Sequence, residues 1–234
     1  MNKMITAVIL FVMMLMLSVF MHQRNGLREV RLEGIRWDEN RPRLIAQDSV
    51  NKLLKVVLSD SVSAFKSGIN LREIEQTLNH NAWVEDAQSF VFIDGGIGVH
   101  VTSKLPIVRI EGDSSYYLDA SGGSFPLSKN QSVVVPIFYG NPTTKQRLFL
   151  VDAVQKAAQD SFMSDHVVAY EWLPEGLAIE PRQEEYKIVL GTPNQLEQKF
   201  KKYKVFYAKM QDSAVLKNYK QVNLSFQGQV VCSK

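Results

Sequence analysis

A serine followed three residues later by a lysine occurs twice, in Ser49-Val50-Asn51-Lys52 and Ser63-Ala64-Phe65-Lys66. This is the nucleophile-and-base spacing of penicillin-binding enzymes, and Lys66-Ser67-Gly68 resembles their K-T-G strand. That chemistry needs the K-T-G strand to face the serine from across a large fold, whereas here it overlaps the second motif and no S-D-N follows. A chance match is the better account. His22, His80, His100 and His166 stand in unrelated contexts with no H-E-x-x-H or Cys/His spacing, so no metal site is expected. Glu184-Glu185, and Glu171 near Glu175, could form paired carboxylates, but acids in turns usually stay solvated. Asp119 reads as a turn former and Gly95-Gly96 as a hairpin turn. With no Walker or G-x-G-x-x-G pattern, no cofactor and no small-molecule substrate are expected. The residues point away from an enzyme.

Lys199, Lys201, Lys202 and Lys204 could face anionic lipid or nucleic acid. The plainer reading is the solvent face of a helix whose other face holds Leu196, Phe200 and Tyr203, a face that a partner with acidic residues could still use. A net charge of +3 and a pI near 8.8 are too mild to argue for nucleic acid.

The elements that would position these residues begin with Met4 to Met21, eighteen residues without charge, just long enough to cross a bilayer core of roughly 30 Å. Bulky Val19, Phe20 and Met21 stand where signal peptidase needs small side chains, so an uncleaved anchor is expected, with residues 1–3 as a cytoplasmic stub. Lys3 on one side and Arg24, Arg28 and Arg31 on the other leave the topology undecided by charge. The single cysteine, Cys232, excludes an internal disulfide, so the remainder must be held by its core.

Val30 to Ile35 can form a strand, and Asp48 can cap a helix carrying Val50, Leu53, Leu54 and Val57. Gly68 ends the loop after it. Asn70 with Glu73 reads as a capping box before Leu71, Ile74 and Leu78, and this helix stops near Asn79-His80-Asn81. Trp83-Val84 leads into an apolar run ending at Ile93, Asp94-Gly95-Gly96 turns, and Val99 and Val101 alternate with His100 and Thr102. Beyond Pro106 the pattern changes. Strands are expected at Tyr116–Asp119, Val133–Phe138, Val167–Trp172, Leu177–Glu180 and Tyr186–Leu190, with a helix that carries Leu148, Val151, Val154 and Ala158 on one face. Gly191-Thr192-Pro193-Asn194 opens another helix carrying Leu196, Phe200, Tyr203 and Tyr207, and a final strand spans about Lys220 to Cys232.

The order from Asn70 to Arg109 resembles the second half of a POTRA domain, and more narrowly that of the bacterial division proteins FtsQ/DivIB. The carriers are Trp83-Val84-Glu85-Asp86-Ala87 and Leu105-Pro106-Ile107-Val108-Arg109, then Asp119 and Gly122, Val135-Pro136-Ile137 and Gly140, and finally Leu190-Gly191, Leu196, Lys199-Phe200, Phe206 and Tyr219 to Val231. The closing Gln229-Val230-Val231-Cys232 looks like the Bacteroidota branch. The resemblance implies an α+β protein: a transmembrane helix over 4–21, a small POTRA domain of order β-α-α-β-β over 27–106, and a mixed β-domain over 107–234 ending in an edge strand.

It further implies a non-enzymatic single-pass scaffold of the divisome in the inner membrane, with its bulk in the periplasm at the septum. The implied partners are FtsB/FtsL-like proteins, with FtsW/FtsI-type synthases and FtsK beyond them, and no nucleic acid. In relatives the last strand and the helix before it dock FtsB and FtsL through an aromatic anchor, which Phe226 matches, flanked by Leu224, Ser225, Gln227 and Gly228, with Lys199 and Tyr203 on the helix. Ser225 stands where better-known members have arginine, and no tryptophan comes after the strand. Alternation along a strand would put Leu224 and Phe226 on one face, so a core aromatic is the competing reading of Phe226. A periplasmic chaperone or envelope assembly factor would also use a POTRA edge.

Overall fold

The computed structural model describes residues 2–26, 31–60, 70–93, 95–192 and 194–234. Expectations resting on Val30, Ser63–Lys66, Gly68, Asp94 and Pro193 fall outside them. The chain is α+β, and it divides into two compact units, Met1–Lys104 and Leu105–Lys234.

The first unit begins with helix α1, Asn2–Gly26, in which Ile5–Gln23 is long and apolar enough to cross a membrane. Nineteen residues at about 1.5 Å each give roughly 28 Å. Next come strand β1 (Arg31–Trp37), helices α2 (Gln47–Asp60) and α3 (Leu71–Asn79), and strands β2 (Val84–Val91) and β3 (Gly96–Ser103). The sheet order is β1-β3-β2, with β1 parallel and β2 antiparallel to the central β3. Val50, Leu54 and Val57 of α2 and Ile74 and Leu78 of α3 are buried against Ile97, Val99 and Val101 of β3. Asn70 caps α3 by accepting from Glu73 N–H at 3.3 Å. Among the described residues Glu73 does not reach back to complete the expected box. A complete box lies elsewhere, at Thr143 and Gln146, where both halves are made.

The second unit is, among the described residues, a nine-stranded sheet with three α-helices and a short 3-10 helix, Leu216–Asn218. In chain order it contains β4 (Val108–Glu111), β5 (Ser115–Leu118), β6 (Ser124–Pro126), β7 (Ile137–Tyr139), α4 (Thr144–Gln159), α5 (Ser161–His166), β8 (Val167–Leu173), β9 (Gly176–Pro181), β10 (Lys187–Gly191), α6 (Leu196–Met210), β11 (Gln221–Asn223) and β12 (Val231–Ser233). The spatial order is β12-β11-β10-β9-β8-β7-β4-β5-β6.

Three sequence expectations change here, and one strand is additional to them. Residues 108–111 form an interior strand between β7 and β5, because Val108 and Ile110 alternate with Arg109 and Glu111 and bury completely. The strand expected over Val133–Phe138 shortens to β7. Pro136 has no N–H for a ladder and only accepts, from Arg109 N–H at 2.9 Å. On α4 the buried stripe is Leu150, Val151, Ala153, Val154 and Ala157, so of the four residues expected on one face Val151 and Val154 are buried while Leu148 and Ala158 are exposed. The single final strand is instead two short ones, β11 and β12.

Candidate partner-binding surface

Strand β11 runs parallel to β10, in register from Lys187↔Gln221 to Val189↔Asn223, and Leu224 N–H extends the ladder by donating to Val189 O at 2.8 Å. Leu224 closes the core at 1% exposure. The chain then lifts off the sheet at Gly191. That glycine has φ +69°, and a Cβ there would stand 2.3 Å from Ser225 Oγ, so a bare backbone is what lets Ser225 cross. Ser225 N–H donates to Asn223 Oδ1 at 2.8 Å, Gly228 turns the chain at φ +74°, and β12 returns antiparallel to β11.

The expected strand through residues 220–232 is therefore a hairpin, and Gln221–Asn223 is interior. The sheet edge is β12, Val231–Ser233. Because residues 224–228 are not a strand, alternation does not apply: Leu224 is buried while Phe226 is 48% exposed, with Ser225, Gln227 and Gly228 exposed around it.

The lysines of α6 hold this segment. Lys202 Nζ donates to Leu224 O at 2.7 Å and to Phe226 O at 2.6 Å, clamping both sides of Ser225. Lys199 Nζ donates to Thr192 O at 2.5 Å and Asn194 Oδ1 at 3.0 Å, fixing the loop into α6. Burial, and for Lys199 also the neighbouring Lys202, pushes both ammonium groups below the ordinary lysine range. Lys204 pairs with Asp160, the N-cap of α5, and this hydrogen bond holds the Asp160 carboxyl below its usual range. Of the four lysines expected on a solvent face, only Lys201 is exposed, Lys202 and Lys204 are half-buried, and Lys199 is 7% exposed. Between α6 and residues 224–228 lies a groove of about 460 Å³ lined by Gln198, Lys199, Lys202 and residues 224–228.

Tyr203, expected to face a partner, is fully buried. Its hydroxyl meets His166 Nε2 at 2.6 Å and Tyr186 Oη at 2.8 Å, so it ties α6 to the residue just before β10 and to the end of α5. Burial pushes both phenols far up and the His166 imidazole down. Like Leu224, Tyr203 positions the surface from beneath and presents no side chain to it. The residues brought together at the surface are Ser225, Phe226, Gln227 and Gly228, backed by Lys202 and Lys199. Sequence reasoning missed Lys202 and Gly191 as the residues that shape the segment. The glycine after a strand was the visible signal.

The remaining chemical candidates are separated. Ser49 and Lys52 lie exposed on α2. Glu171 pairs with Lys187, and Glu184 accepts from Tyr207 Oη at 3.3 Å. Asp119 closes its turn by accepting from Ser121 and Gly123 N–H, each at 2.9 Å. Among the described residues no group of three His, Cys, Asp or Glu converges as a metal site would require.

No curated protein matches the chain. A family model described as FtsQ/DivIB, C-terminal related, matches residues 105–233, which is more than half of the chain and takes in the whole nine-stranded sheet with α6 and β12. On that match the chain belongs to the FtsQ/DivIB family of cell-division proteins.

Proposed function

We propose that this protein is a non-enzymatic, single-pass scaffold of the bacterial divisome. Helix α1 anchors it in the inner membrane with the bulk of the chain in the periplasm at the septum, residues 27–106 acting as a POTRA domain and 107–234 as the FtsQ-type β-domain. It binds FtsB/FtsL-like partners through β12 and the Ser225–Gly228 segment. Through them it supports FtsW/FtsI-type septal wall synthases, with FtsK a further contact.

The observation that carries this reading is the juxtaposition, inside the region matched to the family, of an exposed edge strand and an exposed aromatic held on a clamped segment. A partner strand added to β12 would gain main-chain hydrogen bonds, and Phe226 would supply the side-chain anchor beside it. Lys199 supports the groove floor in this arrangement, and Leu224 and Tyr203 hold it in place.

The test is a pull-down of the full chain from membranes of dividing cells, with mass spectrometry of the co-purified proteins, alongside localisation of a fluorescent fusion. Small single-pass division proteins and a septal band are expected. An even envelope distribution with outer-membrane assembly proteins in the eluate would replace this reading with that of an envelope assembly factor.

A further inference from the structure

The β2–β3 hairpin carries an apolar tip that the partner surface does not use. Ile93 is 90% exposed, and just before it Phe90 and Phe92 meet edge to face with ring centroids 5.2 Å apart. Ser89 Oγ donates to Leu71 O, so Ser89 faces the helices and Phe90, next along the strand, faces away from them. Gly98 makes the space: a Cβ there would come within 2.4 Å of the Phe90 ring and 3.0 Å of the Phe92 ring. The guanidinium of Arg36 lies over Phe90, 5.7 Å from its centroid.

Register fixes where this tip stands in the unit. Strand β1 is parallel to β3, with Arg31 opposite Gly96 and Leu32 opposite Ile97, so the first residue of β1 lies beside the turn of the hairpin. Helix α1 ends at Gly26, five residues earlier in sequence. Five residues span at most about 18 Å even when fully extended. If α1 crosses a bilayer, Arg31 is held within that distance of the helix end whatever path the linker takes, and the turn of the hairpin lies next to Arg31. The opposite end of the same sheet, where Trp37 pairs with Val101, is a strand length, about 20 Å, from Arg31. The sequence about the linker supplies Arg24, Arg28 and Arg31, cations suited to anionic headgroups.

We propose that the tip of the β2–β3 hairpin, through Ile93 with Phe92 and Phe90 behind it, seats in the headgroup layer of an anionic bilayer and gives the first unit a second membrane contact. An aliphatic side chain at the tip, aromatic rings behind it and the Arg36 guanidinium over Phe90 match the order of groups across an interface, apolar deepest and cationic at the phosphates. The contact would restrict how the exported part tilts on its anchor. The proposal rests on the reading of α1 as a membrane anchor.

The test uses the full chain carrying Cys232→Ser, reconstituted in vesicles of phosphatidylcholine and phosphatidylglycerol, with one environment-sensitive fluorophore attached in turn at Ile93→Cys, at Val12→Cys within α1, and at Glu39→Cys at the far end of the sheet. Lipid-borne quenchers report which label touches the membrane. The expected result is loss of fluorescence at positions 12 and 93 and none at 39, with the emission at 93 blue-shifted relative to that at 39. A label at 93 that behaves like the one at 39 while position 12 is quenched overturns the proposal and leaves the anchor standing. Unquenched labels at both 12 and 93 overturn the anchor reading and the proposal together.

Discussion

The two ends of the nine-stranded sheet are both closed by strands of three residues, β6 and β12, yet they meet their surroundings differently. Strand β6 is Ser124-Phe125-Pro126: Phe125 turns inward onto Tyr117, with centroids 5.7 Å apart, and Pro126 has no N–H to offer. Tyr117 Oη accepts from Val133 N–H at 3.3 Å, so the chain beyond β6 returns to the β5–β6 end. Strand β12 is Val231-Cys232-Ser233, with an N–H at every position, outer residues exposed, and Phe226 standing out on the connection that leads to it. An edge that carries proline resists a further strand; one without it can accept one. The sheet thus has a terminated end and an extendable end, and the family match covers both.

The extendable end is most vulnerable from inside. Leu224→Ala removes a fully buried side chain beneath it and is expected to cost about 2–5 kcal/mol of stability, read from urea unfolding, with partner binding lost as the segment detaches. Two residues on, Phe226→Ala should cost about 2 kcal/mol of partner binding by titration calorimetry while stability moves by less than about 1 kcal/mol. A folded Phe226→Ala protein that binds unchanged would remove Phe226 as the anchor. Next in size, Val231→Lys should weaken partner binding about tenfold, or roughly 1.4 kcal/mol, by placing a charge on the edge. Ser124→Lys at the terminated end should leave binding as it was.

The smallest expected effect concerns pH. Burial depresses the His166 pKa in the folded protein, so below the ordinary histidine range the unfolded chain binds more protons and stability falls. Its contribution is complete above the unfolded-state pKa and declines as pH drops through it. Groups facing the ring are Tyr203, Phe162 and Tyr207, none of them charged at neutral pH. His166→Gln should flatten the pH 7 to 5 part of a stability profile and leave the β6 end unaffected.

Legibility in the sequence divides along the same line, between local and distant causes. Helix α3 and the β2–β3 hairpin are legible because their signals are local: an Asn cap, a stripe at helical spacing, glycines in a turn, alternation in a strand. Helix α6 is legible for its position but not for its faces. Lys199 and Lys202 look like solvated charges in sequence, and they are drawn inward by carbonyls at Thr192, Leu224 and Phe226 that lie up to 24 residues away. Tyr203 likewise reads as half of an amphipathic pattern until His166 and Tyr186 meet its hydroxyl. The break between β11 and β12 depends on Gly191 letting Ser225 cross, a contact between residues 34 apart that no local window contains. Phe226 is a candidate by resemblance alone, and its exposure results from that break. By contrast, Thr143-Thr144-Lys145-Gln146 holds a complete capping box that is local and readable, yet it is absent from the sequence expectations.

The central claim is that β12 and the segment before it are where a partner strand adds. Amide hydrogen exchange on the full chain, with and without an FtsB/FtsL-like partner complex, tests it most directly, because each backbone N–H at both ends of the sheet reports in one experiment. Slowed exchange on binding is expected at Val231–Ser233 and across Ser225–Gly228, with Phe125 at the β6 end unchanged. Protection at the β6 end, or none anywhere from Gln221 to Ser233 while the partner is bound, would contradict it.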